Sequence, residues 1–181
     1  MGLGIAIAGG IICATVLAVF SIVFSTSGQI YEINYSRTHA ADLQNVVFQT
    51  NMTVSGVTAK SGNQFVNFTL TNTGNEKLWN YKKFDIIINY TANVLGLPTQ
   101  RAESITYTTD SVSCGPDGTI ATNNWIINNT SNDYTDPNIV NTNERALICT
   151  KLAYPVYTNG GVKVTVSTDS GHTKINSTTA T

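Results

Sequence analysis

Two histidines, three cysteines and a pair of nearby aspartates are the residues of this 181-residue chain best suited to chemistry. A Ser or Cys nucleophile needs a base beside it, usually His. His39 and His172 are far apart in sequence, and no nucleophile motif accompanies either. Asp133 and Asp136, in SNDYTDPN, offer the oxygen donors that calcium takes, but they lack the regular acidic spacing of a calcium loop. They read as a solvated turn. There is no glycine-rich phosphate cradle. The expectation is a non-enzyme with no catalytic residue, no cofactor and no metal.

The cysteines divide unequally. Cys114 and Cys149 lie in the downstream part of the chain, and their spacing fits no zinc pattern. In an oxidising exterior they make one disulfide, worth about 4 kcal/mol on the loop-entropy model. The alternative is two unrelated free thiols. Cys13 falls in an apolar run, where a thiol acts as a small hydrophobe. N-x-S/T acceptor motifs occur at Asn34, Asn51, Asn67, Asn89, Asn128, Asn129 and Asn176. Random order at this composition gives roughly four or five. The set therefore supports a domain outside the membrane more than it supports any single site of N-glycosylation. Adjacent Asn128 and Asn129 are not expected to be modified together.

The element that decides the placement of all these groups is the start, MGLGIAIAGGIICATVLAVFSIVFSTSG. It carries no charged side chain, and the first one in the chain is Glu32. Leu3 to Phe24 is 22 residues. As a helix this is about 33 Å, enough for a hydrocarbon core of about 30 Å. A signal peptide has a basic n-region and a shorter apolar run. A pilin-type leader places a basic residue before the processing Gly, and here only Met1 precedes Gly2. The run is read as an uncleaved membrane anchor, set against a cleaved leader and a buried helix of a soluble protein. Gly9 and Gly10 permit close helix packing in the membrane, or are simply tolerated there. Flanking Lys and Arg are too few to set orientation. Charged residues are 12% of the chain against about 25% in an average soluble domain, and Asn, Ser and Thr dominate the polar set. This suits an exported domain and argues against nucleic-acid binding, which needs a basic face.

The organisation expected is an anchor over 1–25, a helical stalk over 26–44 and one β domain over 45–181. The stalk's apolar residues, Ile30, Ile33 and Leu43, make a sparse stripe. Strands are expected over 46–59, 64–74, 84–92, 104–109, 124–128, 145–152 and 162–170, seven or eight in all. The alternation of Val66, Phe68 and Leu70 is the clearest sign. Turn signals at Asn72-Thr73-Gly74, Gly115-Pro116-Asp117-Gly118 and Asn159-Gly160-Gly161 separate them. No long amphipathic helix interrupts the series. The fold class is mainly β: a transmembrane helix and stalk, then a single antiparallel immunoglobulin-like sandwich. Positions 110–143 read mostly as loop. The segment 162–170, last in the chain with Lys163 and Asp169, is the expected charged edge strand.

The start Met1-Gly2-Leu3-Gly4, the apolar helix and stalk, FVNFTLTNTGNEKL and then FDIIINY together resemble the archaellum stator proteins of the FlaF/FlaG family. The M-G-L-G start and the late VKVTVSTDSG, ending on Gly171, are closer to the FlaF pattern. The resemblance implies a membrane-anchored structural part of the archaeal motility motor. It implies a surface-layer protein and a partner stator subunit as partners, homo- or hetero-oligomers, and a single-pass chain in the cell membrane with its C-terminal domain outside. Two other classes remain open: a filament subunit of archaellin or pilin type, and a membrane-tethered adhesion domain.

Overall fold

One uninterrupted helix, α1 (Gly2–Gln49), opens the chain in the computed structural model. The structure describes residues 2–109, 114, 120–131, 133, 136, 137 and 139–181; within α1 it describes the side chains of 9–24, 32, 35, 37–39, 41, 44 and 49. The chain divides into two compact units, Met1–Asn45 and Val46–Thr181.

In the first unit the apolar side chains from Gly9 to Phe24 are exposed around the whole helix; Leu17, Ile22 and Phe24 are 63%, 64% and 67% accessible. The hydroxyls in this stretch bond within the helix. Thr15 Oγ1 donates to the Ile11 and Ile12 carbonyls (3.1 and 2.9 Å), and Ser21 Oγ to Leu17 (2.9 Å). Such back-bonding leaves no polar group in need of water. Among the described residues, no helix is long and apolar enough to cross a membrane: the stretch from Gly9 to Phe24 falls short of the about 20 residues a span requires. Ile30, Ile33, Asn34 and Leu43 lie outside the described side chains.

The second unit is an eight-stranded β structure. Its strands are β1 (Met52–Ala59), β2 (Phe65–Asn72), β3 (Asp85–Val94), β4 (Leu97–Tyr107), β5 (Asn124–Ser131), β6 (Arg145–Lys151), β7 (Gly161–Ser167) and β8 (Thr173–Thr179). Their order is β1-β2-β6-β5-β4-β3-β7-β8. Each half, β1-β2-β6-β5 and β4-β3-β7-β8, is antiparallel. The halves are joined by a short parallel pairing, Thr106 to Asn124 and Tyr107 to Trp125. Alternate residues point inward and form the core: Val66, Phe68 and Leu70 from β2, Ile86, Ile88 and Tyr90 from β3, and Val162, Val164 and Val166 from β7. Trp125 is wholly buried, with the Tyr107 and Tyr81 rings 4.7 and 6.0 Å away. In β1 the inward set shifts from Met52 and Val54 to Val57 and Ala59. A bulge between Ser55 and Thr58 makes the shift, and Gly56 takes the positive φ of 59° there.

Several expectations change. Residues 46–49 end the helix instead of starting a strand, because a formed helix extends at little cost while a new strand needs partners. The expected segment 104–109 is only the end of β4, which begins at Leu97 after a tight turn at Leu95-Gly96. The segment 162–170 is not an edge: β7 pairs with β3 on one side and β8 on the other. The two ends of the strand order, β1 and β8, are tied to each other. Asn176 Nδ2 donates to the Val54 carbonyl (2.7 Å) and Thr181 N to Ala59 (3.2 Å).

Candidate interaction surfaces

Asn72-Thr73-Gly74 does more than turn the chain. Asn72 is fully buried; its Nδ2 donates to the Glu76 and Val140 carbonyls (2.7 and 2.9 Å), and its Oδ1 accepts from Gly74 N (3.0 Å). The turn then grips residues 49–51. Asn75 N and Glu76 N donate to the Gln49 carbonyl (2.8 and 3.3 Å), and Thr73 N donates to Asn51 (2.9 Å). These bonds satisfy a carbonyl that the helix end leaves without an intrahelical donor. Gly74 is pressed so closely to this segment that a Cβ there would overlap Gln49 O and Asn51 N. Thr142 Oγ1 closes the site from the other side on the Gly74 carbonyl (2.8 Å).

Cys114 and Cys149 are joined by a disulfide, with Cα atoms 6.0 Å apart. It does not bridge the two halves of the sandwich. Cys149 faces away from the main core, and with Ile120, Ile126, Phe65 and Cys114 it forms a second small apolar cluster. The bond therefore staples Cys114 onto the outer side of β2, β6 and β5. Replacing both cysteines by Ser should lower stability by about 2–4 kcal/mol in thermal unfolding under oxidising conditions. Two free thiols in the mature protein by mass spectrometry would remove the basis for that expectation.

The β3–β4 hairpin projects an apolar tip. Leu95 is 99% accessible and Leu97 67%. Leu95 also has φ of 53°, a conformation that favours Asn or Gly. At its base, Tyr90 Oη donates to Glu103 Oε1 (2.6 Å), and Glu103 Oε2 accepts from Ala153 N (2.9 Å). Arg101 lies over the Tyr154 ring, 4.6 Å from its centroid. Burial, with the Glu103 hydrogen bond adding to it, pushes the Tyr90 phenol well above its usual pKa. These contacts hold the segment 153–157 against the hairpin. Asn93 N donates to the Pro155 carbonyl (2.7 Å) and Tyr157 N to Thr91 (2.8 Å).

The acceptor motifs fall in unlike places. Asn51, Asn128 and Asn129 are exposed. Asn67 is half-buried, its Oδ1 3.2 Å from Cys114 Sγ, and the Asn176 amide is engaged with Val54. Asn89 is half-buried on a shallow concavity of about 340 Å³ shared with Gln100, Lys163 and Ser177. Gly9 and Gly10 have no atom within 4 Å of an added Cβ. Asp136 pairs with Lys77, not with Asp133, and among the described residues no group of three His, Cys, Asp or Glu gathers to hold a metal. His39 stacks on Tyr35 at 6.3 Å. His172 Nε2 has no hydrogen-bond partner among the described residues, and burial, then Lys174, lowers its pKa. The sequence singled out the cysteines and acceptor motifs; it gave no sign of the Gly74 grip or the Glu103 clamp, whose partners are distant in the chain.

Residues 48–177 match the family model described as "Conserved flagellar protein F, immunoglobulin-like domain". Three solved structures are similar. The archaellum periplasmic stator protein FlaG from Sulfolobus acidocaldarius is 16% identical, covering 71% of this chain and 99% of its own, at a TM-score of 0.45. The periplasmic stator complex of FlaF and FlaG from the same organism matches at 14% identity, over 70% of this chain and 87% of that one, with a TM-score of 0.46. The archaeal flagellum of Methanospirillum hungatei strain JF1 matches at 14% identity over 100% of this chain and 94% of its own, with a TM-score of 0.57, which shows a shared fold. No curated protein matches. The family model spans most of the chain and the β structure it names is the one observed, so the chain belongs to the conserved flagellar protein F family and carries its immunoglobulin-like domain.

Proposed function

We propose that this protein is a static, non-catalytic tether of the archaellum motor. The apolar part of α1 anchors it in the cell membrane as a single pass. The sandwich lies outside and holds a surface-layer protein and a partner stator subunit. The family match over 48–177 carries this reading. The helix supports it: an apolar stretch exposed on every side, with its hydroxyls bonded internally, needs lipid or other chains around it. A rotary machine set only in fluid lipid would turn its own base, so it requires a fixed link to something stiff. The exposed acceptors Asn51 and one of Asn128 and Asn129 are the places where a glycan fits this topology without disturbing the fold.

Protease added to cells stripped of their surface layer should digest residues 46–181. Full protection of that unit would defeat the proposed topology. A second reading, a filament subunit whose helix lies in a filament core, is favoured by the full-length likeness to the Methanospirillum hungatei flagellum. Shearing separates the two: a tether stays with the membrane fraction, while a filament subunit leaves with the filaments.

A further inference from the structure

The tip of the β3–β4 hairpin is apolar against two local preferences at once. Leu95-Gly96 is a two-residue turn between the paired Val94 and Leu97, with φ of 53° and 85° at its two centres. A turn with positive φ at both centres favours Asn, Asp or Gly in the first of them. Leu95 holds that conformation with a Cβ in the way. It is also 99% accessible, and Leu97 beside it 67%. Scattered exposed leucines are ordinary. An exposed leucine held in a strained conformation is not, since Asn at the same place would relieve both. A residue kept against its backbone and against water marks a contact made elsewhere. The apolar pair is also held still. Gly96 N donates to Asn93 Oδ1 (2.9 Å), Asn93 N to the Pro155 carbonyl (2.7 Å) and Tyr157 N to Thr91 (2.8 Å). A tip fixed in advance loses little freedom on binding.

The place of the tip in the sandwich narrows what it can meet. β1 follows residues 49–51 and ends at Ala59. The chain beyond Ala59 bonds to the segment that braces the hairpin: Gly62 N donates to the Val156 carbonyl and Val156 N to Asn63, both at 2.8 Å. The hairpin therefore projects from the end of the sandwich opposite to residues 49–51. A load entering at those residues crosses the whole sandwich before it reaches the tip. Lipid is a poor occupant, because residues 94–100, VLGLPTQ, carry no Lys, Arg, Trp or Tyr to meet headgroups. A convex tip of two leucines fits a concave apolar site on a protein. We propose that Leu95 and Leu97 form a rigid finger that enters an apolar socket on the surface-layer protein. The identity of that partner rests on the tether reading; the finger itself rests on the turn and its bracing. It gives the tether its far point of contact, away from where load enters.

The test uses the full-length protein in lipid nanodiscs, sedimented with surface-layer sheets isolated from the same cells. Wild type should pellet with the sheets. Leu95→Asn suits the positive φ, so its melting temperature should hold or rise while its dissociation constant for the sheets rises about tenfold or more. A lower melting temperature for that variant would mean that Leu95 is held by the fold and not kept for a partner. Leu95→Met keeps an apolar side chain and should bind within about twofold of wild type. If Leu95→Asn pellets as well as wild type, the finger is overturned and the tether reading stands. If wild type does not pellet, the surface-layer partner is removed and the tether reading falls with the finger. In cells, a photoreactive phenylalanine analogue placed at position 95 should cross-link to the surface-layer protein. Cross-linking to lipid, to a second copy of this chain or to another motor subunit instead would overturn the assignment.

Discussion

Gly74→Ala should lower the stability of the sandwich by about 3 kcal/mol or more, a fall in melting temperature of about 10 °C. The residue takes no positive φ, so the cost is space and not conformation. A methyl there overlaps two backbone atoms, Gln49 O and Asn51 N, with Thr50 C 3.0 Å away. Backbone cannot turn aside as the end of a side chain can. The turn must retreat, and with it go the bonds of Thr73, Asn75 and Glu76 to residues 49–51. Asn72 is then strained as well, because its buried amide bonds depend on the same turn. Gly161→Ala is the control: nothing lies within 4 Å of its added Cβ, and stability should change by less than about 0.5 kcal/mol. An unchanged melting curve for Gly74→Ala, with no new protease cut near Gln49, would show that the grip contributes nothing.

The difference between the glycines of one sequence illustrates what pattern alone conveys. Asn72-Thr73-Gly74 is legible as a turn after an alternating strand, and the alternation of Val66, Phe68 and Leu70 places β2 correctly. What the turn touches is a segment more than twenty residues earlier, and no local pattern encodes that. β3 was legible from its run of isoleucines. The first part of β4 and all of β8 were not, for a shared reason. Along β4 the inward side passes the exposed Arg101 and the half-buried Glu103 before it reaches Ile105 and Tyr107, and along β8 it carries Lys174, Asn176 and Thr178, so the first part of β4 and the whole of β8 show no apolar alternation. Their sides are held by particular bonds, Ala153 N to Glu103 and Asn176 to Val54, which form only once distant segments of the chain have met. The hairpin turn was hidden because Leu95 stands where Asn or Gly is expected. The expected edge strand erred by the same route: Lys163 and Asp169 suggested a charged edge, but the unseen β8 covers it.

In a strain lacking this gene, residues 46–181 exported without the helix should leave swimming at the level of the deletion. The proposed mechanism transmits load along one chain, from lipid through α1 and residues 49–51 into the sandwich. The Gln49 and Asn51 carbonyls are bonded into the sandwich turn, so pull on the helix end reaches β2 through hydrogen bonds as well as through the covalent chain. Cutting the chain before Val46 leaves the binding surfaces intact and removes the load path. The detached unit should still bind its surface-layer or stator partner in pull-down. Expressed in motile cells, it should occupy those partners and slow swimming in proportion to its amount, because each occupied partner is lost to a tethered copy. If the detached sandwich alone restores swimming, anchorage and binding need not reside on one molecule and the tether mechanism is wrong. If deleting the gene leaves both filament assembly and motility intact, the role in the motor itself falls. A detached unit that neither binds nor slows swimming, while remaining folded, would mean that the binding surface is not on the sandwich.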